Sequence, residues 1–223
     1  MQDLLAFSGA DLPAAPVRRA AKRVVDFAAA LFLLVLLSPL LVVIAIAVRA
    51  TSPGPAIFRQ ERIGRDFRPF TVWKFRTMSR STATLRAGTA LDAADPQITR
   101  LGHILRATSL DELPQLVNVL RGEMSLVGPR PLIEWEARAC LARHALRFAV
   151  PPGITGLQQV EVRNSVDLDG RSDRDVEYVR RWSLWLDFAI LLRTPARLFS
   201  SDGVYEEAAS AANPVAAQNK EIA

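Results

Sequence analysis

The chain has 223 residues, half of them hydrophobic, with 28 basic side chains against 23 acidic ones. That length allows one domain with a buried core plus appendages, and excludes two full-sized domains. One cysteine, Cys140, excludes an intrachain disulfide, and His103 and His144 lie far apart without zinc-ligand spacing.

Residues 1–21 read as a disordered, alanine-rich leader. Residues 22–50 read as a membrane helix. Phe27 to Val48 carries no charge, and its 22 residues make a helix of about 33 Å, close to the hydrocarbon thickness of a bilayer. On length alone it spans. Ser38-Pro39 falls at its midpoint, where proline removes a backbone hydrogen bond. Arg18, Arg19, Lys22 and Arg23 flank one side, and Arg49, Arg59, Arg62, Arg65 and Arg68 the other, which places both flanks in the cytoplasm. A re-entrant helix broken at Ser38-Pro39 satisfies both observations; a simple span is the alternative.

Residues 51–200 read as a cytoplasmic catalytic domain on the membrane surface, and 201–223 as a disordered tail. Thr51 to Pro55 is a proline-glycine turn. Ala56 to Gln60 and Phe70 to Phe75 have strand character around a polar turn at Gly64 to Arg68, predicting a short hairpin. Leu113, Leu116, Val117 and Leu120 repeat at helical spacing up to a stop at Gly122. Leu132 to Phe148 predicts another helix, ended by Pro151-Pro152-Gly153. Tyr178 to Phe199 combines aromatics with flanking arginines and predicts an amphipathic helix in the membrane interface, or else a core helix. The fold class is thus α+β and helix-rich, with a membrane helix, a hairpin and amphipathic interface helices around a small catalytic core.

The chemistry concentrates in Ser109 to Pro131. Asp111-Glu112 is an adjacent carboxylate pair about one helix before Gly-Pro-Arg-Pro, Gly128 to Pro131. Ser109-x-x-Glu112 also matches a capping box, but with Ser109 as N-cap, Pro114 falls beyond the positions that tolerate a missing N–H. A helix starting at Asp111 accommodates the proline and puts Asp111 at the positive end of the dipole, which favours its ionised form. An ionised carboxylate attacks phosphorus when cations offset the repulsion. Mg²⁺ suits that role, held by Asp111 with phosphate oxygens and water. Candidate phosphate-binding residues are Lys74, Arg76, Arg106, Arg163 and the rigid turn Pro129, Arg130 and Pro131. The net charge of +5 fits anionic lipid or phosphate-bearing ligands; no basic helix interleaved with stacking aromatics points to nucleic acid.

Together the blocks KRVVDF, SPGPAIFRQERIG, FTVWKFRTM, DPQITRLGHILRATSLDELPQLVNVLRGEMSLVGPRP, PPGITGLQQV and YVRRWSLWLDFAILLRT resemble the bacterial sugar transferase family, the monotopic polyprenol-phosphate phosphoglycosyl transferases, in their minimal catalytic-unit form. The resemblance implies transfer of a sugar-1-phosphate from a UDP-sugar to undecaprenyl phosphate at the bacterial inner membrane, with release of UMP. It implies that Asp111 forms a covalent sugar-phosphoryl intermediate, with Glu112 in an orienting or proton-transfer role and Mg²⁺ at the site. The sequence departs from the family pattern at Phe67, where members commonly carry glycine, at Glu123, at Gln158 and at Glu161-Val162.

Two other classes compete. A non-catalytic, membrane-anchored binding protein for anionic lipid would use the acidic pair only as a helix cap. A carboxylate hydrolase would need a second acid, for which Asp92, Asp95 and Glu134 are available. The sugar, the pathway and the oligomeric state, a homo-oligomer included, stay open.

Overall fold

A computed structural model of the chain describes residues 16–79, 97–162 and 167–198. Helix α1 runs from Pro16 to Thr51, 36 residues, so it begins inside the segment expected to be a disordered leader. It is continuous through Ser38 and Pro39, and the Ser38 hydroxyl donates to the Val35 carbonyl at 2.8 Å. Only 11% of its most apolar 18-residue stretch is buried against the protein, and it is the one described helix long and apolar enough to cross a membrane.

Both ends of α1 dock on the same body. Near the N-terminal end, Arg23 donates to the carbonyls of Val119 and Leu120, the last turn of helix α3 (Leu116–Arg121), where a cation satisfies orphan acceptors. Ala30 is fully buried with Leu116 and Val119. Near the C-terminal end, Ile44 and Val48 pack with Phe75 and Leu105. Val35 to Leu40 lies between, with Val35, Leu36, Ser38, Pro39 and Leu40 all exposed.

Strands β1 (Ile57–Ile63) and β2 (Pro69–Phe75) form the expected antiparallel hairpin, β1 extending three residues past its expected end. The turn holds Asp66 and Phe67 at φ 56° and 58°. Left-handed backbone is the conformation in which glycine carries no penalty, which explains why glycine suits position 67. Here the Phe67 ring packs edge-on against Phe148 at 5.1 Å. On β2, Trp73 lies between the guanidinium groups of Arg59 and Arg121, 4.7 and 4.5 Å from its ring centre.

Helix α2 (Arg100–Ala107) is capped by Thr99, whose hydroxyl accepts from the Gly102 N–H. A turn through Ser109 leads into a 3₁₀ segment, Leu110–Gln115, and then into α3, closed by Gly122 at φ 82°. Strand β3 (Ser125–Val127) pairs in parallel with β4 (Gly153–Thr155). Between them lie α4 (Glu134–His144) and a 3₁₀ turn, Ala145–Ala149, so the helix expected over Leu132 to Phe148 is shorter and tightens at its end. Helix α5 (Leu157–Glu161) precedes α6 (Leu168–Arg181) and α7 (Leu184–Leu198).

The single helix expected from Tyr178 to Phe199 is therefore corrected: α6 ends at Arg181, Trp182 leaves helical geometry, and a new helix starts two residues later. The cause is Asp187, which turns inward. It accepts from Tyr178 Oη at 2.8 Å, Trp182 Nε1 at 3.1 Å and Lys22 Nζ at 2.7 Å. Leu184, Trp185, Phe188, Leu191 and Leu192 are left exposed along α7.

Candidate active site

The site is assembled by three neighbouring segments. The alternation of β2 puts Val72 and Lys74 on one face, which packs against the 3₁₀ segment carrying Asp111 and Glu112. The backbone turns sharply before the pair: Ser109 is left-handed at φ 53° and its side chain caps nothing. The capping-box reading of Ser109 and Glu112 therefore fails, and Pro114 sits in the 3₁₀ segment beginning at Leu110, one residue before the expected start.

The third segment is Gly128 to Pro131. It leaves β3 and lies against β4, with the Gly128 N–H donating to the Thr155 carbonyl at 2.9 Å and the Gly153 N–H to the Pro129 carbonyl at 2.8 Å. The approach is so close that a Cβ on Gly153 would stand 2.1 Å from the Gly128 nitrogen. Arg147 Nη2 donates to the Arg130 carbonyl at 3.0 Å and also pairs with Asp175.

A small, solvent-open cleft lies among these segments. Its wall includes Lys74, Glu112, Arg130 and Pro131, all candidates from the sequence. It also includes Arg62, Gln115 and Gln159, which the sequence reading missed. Lys74 Nζ lies 2.6 Å from Glu112 Oε1. Burial works to raise the Glu112 carboxyl, but Lys74, aided by Arg130 and Arg62, overrides it and holds the group below its usual value.

Asp111 behaves oppositely. It is 9% exposed, and burial raises its pKa from 3.8 to about 6, with Lys74 and Arg106 opposing and Glu112 adding. The expected helix-dipole stabilisation of its anion is thus outweighed by desolvation. Two adjacent carboxylates pushed apart in this way are suited to different roles.

Arg106 belongs to the electrostatic surroundings of Asp111 and donates from Nε to Thr77 Oγ1 at 2.9 Å. Arg76 lies elsewhere: β2 ends at Phe75, its alternation is lost, and Arg76 Nη2 donates to the Ser52 carbonyl at 2.7 Å, pinning the end of α1. Pro129 is buried under the turn. Arg163, Asp92 and Asp95 lie outside the described residues, and Glu134 is exposed on α4, paired with Arg138. The atypical Gln158 is 1% exposed, Glu161 pairs with Arg174 at 3.6 Å, and Glu123 accepts from Asn118 at 2.7 Å.

Among the described residues no three acidic, histidine or cysteine side chains converge as a metal cage. Mg²⁺ needs only one or two carboxylates when phosphate oxygens and water complete its shell, so Asp111 would suit it, Glu112 being engaged by Lys74.

These features define a class: a helix-bearing α+β domain with an adjacent carboxylate pair, Asp111 buried and Glu112 half-buried, beside a cleft lined by cations. The bacterial sugar transferase family model matches residues 17–201, and the chain belongs to that family. It is 42% identical over 203 residues to the UDP-glucose:undecaprenyl-phosphate glucose-1-phosphate transferase of Escherichia coli K12, covering 87% of this chain and 44% of that protein. A protein of the same name from Caulobacter vibrioides is 43% identical, over 86% of this chain and 76% of its own length. The undecaprenyl-phosphate galactose phosphotransferase of Salmonella typhimurium is 40% identical, over 82% of this chain and 41% of its own. The chain thus spans less than half the length of two of these relatives.

Proposed function

We propose that the protein transfers a sugar-1-phosphate from a UDP-sugar to undecaprenyl phosphate, releasing UMP, as the first membrane step of a bacterial surface polysaccharide. The observation that carries this is the split dyad: Asp111 raised to about 6 and Glu112 held anionic by Lys74 at 2.6 Å, beside a cleft lined by Arg62 and Arg130. The names of the relatives support the two substrates.

In the proposed mechanism an Asp111 carboxylate oxygen attacks the β-phosphorus of the donor. The bond from that phosphorus to the oxygen bridging the α-phosphate breaks, and UMP leaves. A phosphate oxygen of undecaprenyl phosphate then attacks the same phosphorus, the acyl-phosphate bond breaks, and Asp111 returns as carboxylate. Lys74, Arg62 and Arg130 hold the diphosphate and offset its charge. Mg²⁺, held through Asp111, supplies further neutralisation when bound. Glu112 keeps Lys74 in place. One site serving two substrates in turn predicts ping-pong kinetics.

The proposed placement is the cytoplasmic face of the inner membrane, with α1 entering the bilayer and returning by a bend at Ser38-Pro39. Support comes from the docking of both ends of α1 on the same body, with the exposed stretch Val35 to Leu40 between them, whereas a full crossing would carry the two ends to opposite faces of the bilayer. The exposed apolar face of α7 and Ile104 on α2 would lie in the same interface.

The test is UMP release by nanodisc-held protein given undecaprenyl phosphate, Mg²⁺ and a panel of UDP-sugars. Release from at least one donor, lost in Asp111→Asn, supports the proposal; release that survives the substitution refutes it.

A further inference from the structure

The cleft contains two amide side chains that the mechanism above does not use, Gln115 and Gln159, and the second of them is without partners among the described residues. Gln159, on α5, lines it together with Lys74, Glu112 and Arg130. Its Nε2 and Oε1 are both shut off from solvent, and neither has a hydrogen-bond partner among the described residues. An amide in that state has given up water on its donor and its acceptor side alike. Native chains keep such a group where something else satisfies it.

The surroundings limit what that is. The cations of the cleft match the phosphates. Val72, Pro131, Gly153 and Ile154 are the apolar and backbone remainder of the described wall, which offers no aromatic ring for a nucleobase to stack on. An uncharged group that donates and accepts from one small volume fits, and a sugar hydroxyl is such a group. Gly156 gives the amide room: a Cβ there would stand 2.8 Å from Gln159 Oε1.

We infer that Gln159 is a specificity-determining residue, its amide pairing with a ring hydroxyl of the sugar carried on the donor's β-phosphate. The inference rests on the UDP-sugar reading of the same cleft. Nε2–H donates to the hydroxyl oxygen and Oε1 accepts the hydroxyl hydrogen. A donor lacking that hydroxyl, or presenting it on the other side of the ring, leaves the amide unpaired and is rejected.

The experiment compares the full chain with Gln159→Met, of similar volume without the amide, and Gln159→Asn, with the amide withdrawn by one methylene. UMP release is measured from UDP-glucose, UDP-galactose and UDP-N-acetylglucosamine, alongside inhibition by UMP. For both variants the expected result is a loss of about 10- to 100-fold in kcat/KM for the best donor, a flattened ratio among donors, and unchanged inhibition by UMP. Equal losses on every donor, or a parallel weakening of UMP, would overturn the inference, the latter by placing Gln159 on the uracil. Unchanged donor ratios in both variants of an active enzyme would overturn it alone. A wild-type protein that releases no UMP from any donor would overturn the underlying reading and this inference with it.

Discussion

Lys74 Nζ lies 2.6 Å from Glu112 Oε1, bridging β2 and the segment before α3, and the same ammonium lowers the pKa of the neighbouring Asp111. One cation thus sets the charge of both members of the dyad. Lys74→Met removes it, and both carboxyl groups rise. The acid limb of the kcat/KM profile, set by Asp111 at about 6, moves to higher pH, and activity at pH 7 falls by about 100-fold. A pH–rate profile of the variant checks this.

Asp111→Asn abolishes UMP release and also stabilises the fold at neutral pH. A carboxyl raised from 3.8 to about 6 on folding favours the folded state while protonated, and that contribution is lost as pH rises through about 6. The uncharged amide escapes the cost, by up to about 3 kcal/mol. The gain is full above pH 6 and gone below the unfolded pKa. Thermal unfolding of both proteins at pH 4 and pH 7.5 checks sign and window.

Arg147 and Asp175 are 3% and 1% exposed and paired with each other, and Arg147 also holds the Arg130 carbonyl at 3.0 Å. Burial raises the Asp175 carboxyl against the pull of Arg147. Arg147→Met leaves that carboxyl buried without its cation and destabilises the fold by about 3–5 kcal/mol. Adding Asp175→Leu recovers much of the loss in melting temperature. Arg130, no longer braced, gives a raised KM in both variants.

Lys22 and Asp187 join the N-terminal end of α1 to α7 at 2.7 Å. Lys22→Met leaves Asp187 its Tyr178 and Trp182 donors, so the cost is smaller, about 1–3 kcal/mol. Limited proteolysis in detergent reads it as faster cleavage near residue 22.

Hydrophobic length, charge flanks and turn residues are local signals, and through them the sequence disclosed α1, the hairpin, the Gly122 stop and the Asp111-Glu112 pair. What it withheld depends on distant partners. The break between α6 and α7 follows from Asp187 turning toward Lys22, 165 positions away. Arg76 and Lys74 look alike in the sequence, yet the end of β2 sends one to Ser52 and the other to Glu112. Gln159 lies inside the block PPGITGLQQV, yet nothing in that block singles it out; only the cleft around it marks it. Phe67 was visible as a departure, but its positive φ was not.

In the proposed mechanism Asp111 carries the sugar phosphate between the two substrates. The most direct measurement is mass spectrometry of the protein after incubation with Mg²⁺ and its UDP-sugar in the absence of undecaprenyl phosphate. The expected result is a burst of UMP no larger than the enzyme concentration and a sugar-phosphate adduct on the peptide containing Asp111, discharged when undecaprenyl phosphate is added. UMP release that requires undecaprenyl phosphate from the first turnover, with no adduct on that peptide, would contradict it.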